Sequence, residues 1–321
     1  MPVSPRFCKA ALFLALPAAV FTARADWLRD DAALAWRNGT NVVWRFSFDS
    51  TKGKPFFHPV SLPGGPALTN FKPEDHPWHY GLWFSWKYIN HANYWEEDRQ
   101  TGKAEGRTLW TTPAIETTPD GSARMRLELS YLSPSNQIDL TERRELVVSA
   151  PEPDGAYAIN WTSHFVAGTN GALLDRWPMP DEPNGKINGG YAGLSLRMAG
   201  PPLGIAFVSS TGVVSHFEGD RARPAAAAAG CNFTQNGAPA GSIALFSHPA
   251  NAGENAPWYL INSETMRFVC AAILAPKPRT LRAGETFDLR YRIQLRREPW
   301  TPETLQDTAA RAFSPERFRQ K

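Results

Sequence analysis

Apolar and polar residues alternate along much of this chain with a period of two, the pattern of strands buried on one face. The clearest run is Thr286–Arg296, in which every second position is apolar: Phe287, Leu289, Tyr291, Ile293 and Leu295. Similar runs, separated by Pro, Gly, Asp or Asn, lie at residues 41–50, 123–132, 138–149, 157–166, 191–198, 204–209, 242–247 and 266–274. Many short strands with turn residues between them predict an all-β fold, a large antiparallel β-sandwich.

Two segments depart from this alternation. Residues 222–230 (ARPAAAAAG) are small side chains between predicted strands, and we expect a loop there. Thr301, Pro302 and Glu303 follow the order of a helix cap, a first-turn proline and an acidic first turn. They predict a short C-terminal helix from residue 302 to about residue 313.

The first 25 residues have the features of a signal peptide. Arg6 and Lys9 precede an apolar run over residues 10–21, and Ala23-Arg24-Ala25 has the small-x-small form of a cleavage site. The apolar run is shorter than a membrane span requires. We therefore predict cleavage after Ala25 and a periplasmic or secreted protein without a membrane span. Residues 26–321 have a length that suits one large β-sandwich domain.

Charge and cysteine content narrow the possible partners. The net charge is +3 with both signs mixed along the chain, so there is no basic stripe for nucleic acid. Cys231 and Cys270 remain after cleavage. An oxidising compartment would allow them to pair, but both lie in apolar runs typical of strands, which favours free buried thiols. The sequence has no CxxC and no zinc-type spacing.

Residues 55–97 concentrate the candidate chemistry. The segment contains four histidines and four tryptophans that stand out: His58, His76, His79, His91, Trp78, Trp83, Trp86 and Trp95. His58 and His76 each precede a proline, which excludes them from the helical region and places them on extended or turning chain. Titratable groups on turns among large aromatic side chains indicate a ligand site.

Several motifs resemble those of an exported bacterial family known as PmoA-like. They are PFFHP (55–59), DHPWHYGLWFSW (75–86), residues 90–96, GGYAGLSLR (189–197), FSHPAN (246–251), PWY (257–259) and LRAGETFDLRYRIQL (281–295). The resemblance implies a supersandwich like that of galactose mutarotases and polysaccharide lyases, and a fold alone assigns no reaction. The family offers no settled activity to transfer. Methane oxidation, which its name suggests, belongs to an integral membrane subunit and does not suit this chain.

His76 and His79 are the first catalytic candidates. On a regular strand they would point to opposite faces, so only a turn at Pro77-Trp78 brings them together. Imidazole titrates near neutral pH, so a convergent pair suits general acid-base catalysis. Two alternatives stay open: a structural role in which the rings satisfy backbone carbonyls, and a divalent metal site.

Two further residues are catalytic candidates, His58 and Glu96. Glu96 is adjacent to Glu97, and on a strand only one of the two can face the site, the alternative for Glu96 being a solvated rim charge. The metal alternative would use His76 and His79 with Asp75, His58 or His248 as further ligands. No cofactor is assumed otherwise.

Seven residues are candidate substrate contacts: Trp83, Trp86, Asn90, Arg197, His248, Asn251 and Trp258. Tryptophan faces suit the apolar faces of sugar rings, with core packing as the alternative. Arg197 has the planar fork that binds a carboxylate such as a uronic acid, with a cross-strand salt bridge as the alternative. Asn90 is either a contact or a turn residue. Because the segment around His248 repeats the His-Pro form of the first segment, we expect the two to meet in space.

The sequence therefore predicts an exported protein that acts on a carbohydrate or another small-molecule ligand. A lyase, hydrolase or epimerase-type enzyme with histidine acid-base chemistry is favoured. A non-catalytic glycan-binding or scaffold protein and a histidine-ligated metal protein are the alternatives. The sequence has no G-x-S-x-G elbow, no phosphate-binding glycine loop and no H-E-x-x-H motif.

Overall fold

A computed structural model describes residues 25–314 of the protein. The predicted signal peptide lies outside the described residues, apart from Ala25, where the first strand begins. The strands are β1 (Ala25–Arg29), β2 (Ala33–Asn38), β3 (Asn41–Ser47), β4 (Phe56–Val60), β5 (Leu82–Ser85), β6 (Tyr88–Ile89), β7 (Ala92–Asn93), β8 (Arg107–Trp110), β9 (Ala114–Thr117), β10 (Ala123–Leu132), β11 (Ile138–Val148), β12 (Tyr157–Ala167), β13 (Ala172–Asp175), β14 (Gly193–Arg197), β15 (Gly204–Ser209), β16 (Gly212–Val214), β17 (Arg221–Ala222), β18 (Ala225–Ala226), β19 (Ala228–Gln235), β20 (Ala238–Ser247), β21 (Ala256–Asn262), β22 (Arg267–Ala271), β23 (Arg279–Leu281) and β24 (Thr286–Arg296). The helices are α1 (Pro249–Ala252) and α2 (Pro302–Ala312), and within the described residues no helix is long and apolar enough to cross a membrane.

Two ten-stranded antiparallel sheets form the body of the fold. The first sheet has the order β1-β2-β3-β4-β5-β14-β22-β21-β17, with β18 paired to β21. The second has the order β16-β15-β19-β20-β24-β12-β11-β10-β8, with β9 paired to β10. A third sheet of four short strands has the order β23-β13-β6-β7. The predicted all-β class, an antiparallel sandwich with a short C-terminal helix, is confirmed.

The main core lies between the two large sheets. The ring of Phe57 on the first sheet lies 6.4 Å from that of Trp161 on the second, and Phe84 lies 5.6 Å from Phe165. Along β10, buried residues alternate with more exposed ones, as the sequence pattern predicts. Each fully buried large apolar side chain stabilises the fold by about 1.5–3 kcal/mol.

The outer face of the first sheet is also buried. Along β5, Phe84 points to the second sheet, and because alternate residues face opposite ways, Trp83 points outward. Tyr259 of β21 and Phe268 of β22 point outward with it. We call this second group of packed residues the outer cluster: Phe56, Tyr80, Trp83, Trp95, Tyr191, Tyr259, Ile261, Met266, Phe268, Cys270, Ala272 and Ala275. It is the base on which the candidate site is built.

The loop predicted for residues 222–230 is wrong, because β18 and the start of β19 lie there. Ala228 and Ala229 are fully buried. Gly230 pairs with Ala244 of β20, and a Cβ on Gly230 would come 2.5 Å from the carbonyl oxygen of Ile243. The small side chains therefore allow close strand packing, a role that composition alone does not separate from a loop.

The predicted C-terminal helix is confirmed as α2. Thr301 Oγ1 accepts a hydrogen bond from the Thr304 backbone N–H at 3.2 Å, and Thr304 Oγ1 accepts one from the Thr301 N–H at 2.9 Å. Pro302 occupies the first turn, where its missing N–H costs nothing. Leu305 and Ala312 are buried against β19 and β20, so the helix packs on the second sheet.

The two cysteines of the described chain are not paired. Cys231 and Cys270 are both free and buried, so the interpretation as buried thiols is confirmed. Burial raises the pKa of the Cys270 thiol to about 12, which keeps it protonated and unreactive.

Candidate functional site

A cavity of about 400 Å³ lies over the outer cluster. Its floor comes from β21 and β22, and its sides come from residues 76–96, from residues 177–191 and from Arg221 of β17. The lining residues are His76, Trp78, His79, Lys87, Tyr88, Asn93, Trp95, Glu96, Trp177, Asn188, Tyr191, Arg221, Tyr259, Ile261, Met266 and Phe268. A concave site with largely aromatic walls and a few polar groups is typical of small-molecule binding.

A tight turn brings His76 and His79 together at one side of the cavity. The backbone N–H of His79 donates to the carbonyl oxygen of His76 at 3.0 Å, across Pro77-Trp78. The two imidazole rings stack with their centroids 4.7 Å apart. The turn that the sequence requires for their convergence is therefore confirmed.

The neighbours of the two histidines differ, and those of His79 fix its tautomer. Arg197 Nη1 lies 3.3 Å from His79 Nδ1, and because a guanidinium only donates, His79 has its proton on Nε2. His76 Nδ1 lies 3.0 Å from Asp75 Oδ2 without the geometry of a hydrogen bond, so the carboxylate acts on this ring through its charge. His79 therefore has an N–H donor at Nε2, and a neutral His76 has one ring nitrogen with a free lone pair.

Burial sets the charge state of both rings. It lowers the pKa of His79 well below the usual value, and the charge of Arg197, together with that of His76 when it is protonated, adds to that effect. Burial also lowers the pKa of His76, although the Asp75 carboxylate opposes the shift. Both imidazoles are therefore neutral at neutral pH.

A buried ion pair between Lys87 and Glu96 lies in another part of the cavity wall. Lys87 Nζ donates to Glu96 Oε2, and Tyr191 Oη donates to Glu96 Oε1 at 2.5 Å. The ammonium lies 4.7 Å from the ring centroid of Tyr88 and 4.9 Å from that of Trp177. Burial raises the pKa of Glu96, but Lys87 outweighs it and holds that pKa below the usual value. Glu96, which is 23 % exposed, therefore presents an anionic carboxylate to the cavity.

Glu97 lies outside the cavity wall, in a sealed polar network. Its carboxylate accepts hydrogen bonds from Lys54 Nζ at 3.0 Å and from Tyr80 Oη at 2.6 Å, and only 4 % of the side chain is exposed. Adjacent residues on extended chain point to opposite sides. Of these two neighbouring carboxylates, Glu96 therefore lines the cavity and Glu97 does not.

His58 does not line the cavity, contrary to the prediction. Its Nδ1 is bonded to Thr69 Oγ1 at 2.9 Å, and its ring stacks on Phe71 with the centroids 5.5 Å apart. Burial lowers the pKa of His58 to about 4. These neighbours hold the ring within the first sheet, so the structure gives it no catalytic position.

Arg197 lies beneath the cavity instead of in its wall. Only 1 % of its side chain is exposed. Nη2 donates to both oxygens of Asp75 at 3.0 Å and to the Thr265 carbonyl at 2.6 Å. The predicted contact with a substrate carboxylate is therefore wrong, because a carboxylate of the protein itself already occupies the guanidinium.

The three predicted tryptophans are all core residues. Trp83 belongs to the outer cluster and supports the floor from below, with its ring 5.1 Å from that of His79. Trp86 faces the main core, 5.3 Å from Phe165. Trp258 is 1 % exposed and borders a separate, smaller cavity of about 280 Å³. Core packing, the alternative given for each of them, is what the structure shows.

The remaining predicted contacts have structural positions away from the cavity. Asn90 has a positive φ of 48° and bonds to Asp139 and to the backbone of Leu173, as a turn residue does. His248 caps α1, and its ring packs 4.8 Å from Phe313. Asn251 exchanges hydrogen bonds with the backbone of Arg290. The expected meeting of the two His-Pro segments is therefore wrong, since His248 sits at the end of the second sheet.

Most residues of the cavity wall were not predicted from the sequence. The missed polar residues are Lys87, Asn93, Asn188 and Arg221, and the missed aromatic ones include Trp177, Tyr191 and Tyr259. Tyr191 and Tyr259 lie inside GGYAGLSLR and PWY, two of the motifs that carry the family resemblance. Those motifs could therefore have identified Tyr191 and Tyr259 as cavity residues, whereas no local motif includes Lys87 or Arg221.

The histidines do not assemble a metal-ligand set. Within residues 25–314, no three His, Cys, Asp or Glu side chains come together as a group that could hold a metal ion. The Arg197 guanidinium donates to both Asp75 and His79. Two of the side chains that the metal alternative would use as ligands are therefore already bound to an arginine.

Solved structures with a similar chain path have very low sequence identity. The Slr1438 protein from Synechocystis sp. PCC 6803 is 9% identical with a TM-score of 0.45, over 89% of this chain and 100% of that one. A putative aldose 1-epimerase from Klebsiella pneumoniae is 7% identical with a TM-score of 0.44, over 88% and 84%. The galactosidase domain of the alpha-galactosidase-sucrose kinase AgaSK is 9% identical with a TM-score of 0.43, over 86% and 41%. At these scores the similarities carry no conclusion about activity.

Sequence comparison assigns a family without assigning a reaction. No curated protein matches the chain significantly. A protein-family model matches residues 33–310, nearly the whole of the described chain. It does not establish the PmoA-like assignment, which stays a prediction. The chain belongs to the family of unknown function DUF6807.

Proposed function

We propose that the cavity binds a carbohydrate and catalyses proton transfer on it, as an epimerase-type or lyase-type enzyme. The observation that carries this proposal is the pair of stacked, neutral histidines in an aromatic cavity. One ring offers a proton acceptor and the other a hydrogen-bond donor. Proton abstraction next to a carbonyl or carboxylate group needs both kinds of group in one place.

The walls support a sugar as the ligand. Trp95, Trp177, Tyr191 and Tyr259 line the cavity, and aromatic faces suit the apolar C–H faces of a pyranose ring. Polar groups between them, such as Asn93 and Glu96, can bind hydroxyl groups. An aromatic cavity with a few polar groups on its wall fits a sugar better than a fully apolar ligand.

The proposed roles follow from the neighbours of each ring. His76 accepts the proton at Nε2, and Asp75, which lies 3.0 Å from Nδ1, orients the ring and stabilises the imidazolium that forms. His79 donates from Nε2 to the oxygen on which negative charge develops. The Glu96 carboxylate binds a sugar hydroxyl or assists the second proton transfer.

A hydrolase is less well supported. Glycosidases generally use two carboxyl groups that flank the bond being cleaved. Among the cavity-lining residues of the described chain, Glu96 is the single carboxylate. Glu97 and Asp75 are held by Lys54 and Arg197 outside the wall.

Hydrogen exchange with solvent deuterium tests the proposal directly. Mature protein, expressed with its leader so that the proposed export can also be checked, is incubated in D₂O with a panel of neutral and acidic glycans. We expect deuterium incorporation or epimer formation by NMR, or an unsaturated product by ultraviolet absorbance. His76→Gln should lower turnover by about 100-fold or more. The rate should rise with pH through a midpoint below the usual imidazole pKa, because burial lowers the pKa of His76.

His164→Gln is the matched control. His164 forms a similar pair, with its Nδ1 2.7 Å from Asp288 Oδ1, but on the exposed face of the second sheet. Its loss should leave turnover within about twofold. Unchanged turnover in His76→Gln would overturn the catalytic proposal, and binding without turnover would identify a glycan-binding protein instead.

A further inference from the structure

The cavity carries one cation that the protein does not neutralise. Lys87 is paired with Glu96, and burial keeps His76 and His79 neutral. Arg221 remains. Its Nε donates to Tyr259 Oη at 3.0 Å and its Nη1 to the carbonyl oxygen of Gly219, and both of these partners are uncharged. Within residues 25–314, no carboxylate forms an ion pair with Arg221.

Arg221 differs from the other arginines nearby in what its guanidinium can reach. Arg197, beneath the cavity, is bound by Asp75. Arg223 donates to the carbonyl oxygens of Ile187 and Gly189, so it holds residues 187–189 against the chain. Arg221 lines the cavity itself, and its described hydrogen bonds use Nε and Nη1 and leave Nη2 for a ligand. It is therefore the guanidinium in this region that can contact a ligand.

The backbone fixes the position of Arg221. Glu218 and Arg221 exchange two backbone hydrogen bonds, at 2.8 and 3.0 Å. Gly219 and Asp220 between them both have positive φ, 51° and 66°, which is the geometry of a two-residue hairpin turn. The tight turn and the bond to Tyr259 hold the guanidinium in place before a ligand arrives, which lowers the entropy cost of binding.

We infer that the substrate carries a carboxylate, as a uronic acid does, and that Arg221 binds it. The inference rests on the proposed function and names the class of sugar. A carboxylate on the ligand would balance the one unpaired positive charge among the cavity-lining residues. Its two oxygens would also accept hydrogen bonds from the planar guanidinium. A substrate carboxylate next to the abstracted proton would also stabilise the charge that develops in proton transfer. Arg221 would then set specificity, and His76 and His79 would perform the chemistry.

Carboxyl reduction gives the sharpest test, because it changes one group on an otherwise identical sugar. The probes are oligogalacturonates and oligoglucuronates, each compared with its own carboxyl-reduced form by calorimetry on the mature protein. We expect the reduced form to bind at least tenfold more weakly. Arg221→Gln should weaken binding of the acidic form about 10- to 100-fold and leave the reduced form unchanged. Higher salt should weaken the acidic form alone.

Arg282→Gln serves as the control, since it removes a guanidinium that is 93 % exposed, in the loop between β23 and β24. It should bind both forms as the wild type does. If the reduced sugar binds or turns over as well as the acidic one, the inference is wrong and the proposed function stands. If Arg221→Gln keeps full affinity for the acidic form, the inference is also wrong. If neither form binds, the proposed function fails with it.

Discussion

Two buried ion pairs of similar composition lie on opposite sides of the first sheet. In the main core, Arg144 donates to Glu142 through Nε at 2.7 Å and Nη2 at 2.8 Å, and Tyr131 Oη adds a bond of 2.5 Å. At the cavity, Lys87 and Tyr191 bind Glu96 in the same way. Glu142 is 0 % exposed, whereas Glu96 is 23 % exposed.

The difference between the two pairs lies in access. Ser163 Oγ donates the remaining bond to Glu142 at 2.5 Å, and Arg144 lies over the ring of Trp161, so no ligand can reach the sealed pair. Glu96 keeps an open edge on the cavity. The sealed pair therefore serves the fold, and we expect the open pair to serve function. The following substitutions test that division.

Arg144→Ala should have the largest effect on stability. It leaves the Glu142 charge buried without its partner, which costs about 3–5 kcal/mol. Urea unfolding measures the loss. The control is Arg126→Ala on the exposed face of β10, where Arg126 is 48 % exposed and pairs with Glu116 and Glu145. That change should cost at most about 1 kcal/mol. Equal losses in the two variants would show that the core pair is not sealed.

Glu96→Gln should reduce turnover strongly. We expect a fall of about 100-fold, or about 2.7 kcal/mol of transition-state stabilisation, because the amide cannot accept a proton. The matched variant is Glu97→Gln, since Glu97 is the adjacent residue, lies outside the cavity wall and is bound by Lys54. That variant should unfold at lower urea and, while folded, keep turnover within about threefold. The reverse pattern would exchange the roles of the two carboxylates.

His58 should make stability depend on pH, because it is a half-buried titratable group without an ionic partner among the described residues. Burial lowers its pKa to about 4 from 6.5, so the folded state disfavours the charged ring. The contribution to stability is complete above the unfolded pKa and is lost as the pH falls from about 6.5 towards 4. After allowance for partial exposure, the loss is about 1–3 kcal/mol.

The variant His58→Asn isolates this contribution from that of the carboxylates. Unfolding free energies of wild type and variant are measured by urea titration between neutral pH and pH 4. We expect the difference between them to shrink as the pH falls, because only the wild type must bury a charged ring. A difference that is constant over this range would show that His58 titrates normally.

Local patterns predicted the strands because the pleat imposes a period of two. The predicted bounds of Ala123–Leu132 and Thr286–Arg296 match the structure. The pattern could not show which side of β5 carries Trp83. All four residues of that strand are buried, so the contrast between apolar and polar faces that reveals direction is missing.

The site was predictable where its residues are close in sequence. The segment containing His76, His79 and Glu96 was found because its turn chemistry and residue types are local. Arg221 meets this segment only through the sheets. Lys87 lies within the segment, but a lysine or arginine is usually solvated, so its type did not mark it as a cavity residue. Arg197 was misplaced for a related reason, since its partner Asp75 lies far away in the sequence.

The finest test compares the two tyrosines. Tyr131→Phe and Tyr191→Phe each remove one hydroxyl that donates to the carboxylate of an ion pair, at 2.5 Å in both cases. In the sealed core nothing can replace that donor, and the loss should be about 1.5–3 kcal/mol by urea unfolding. At the cavity a water molecule can take the place of the hydroxyl, so Tyr191→Phe should cost less than about 1 kcal/mol. Because the same bond is removed from both pairs, the difference measures access to water alone. A Tyr191→Phe variant as unstable as Tyr131→Phe would mean that the cavity is closed to solvent, and Glu96 could then not meet a sugar.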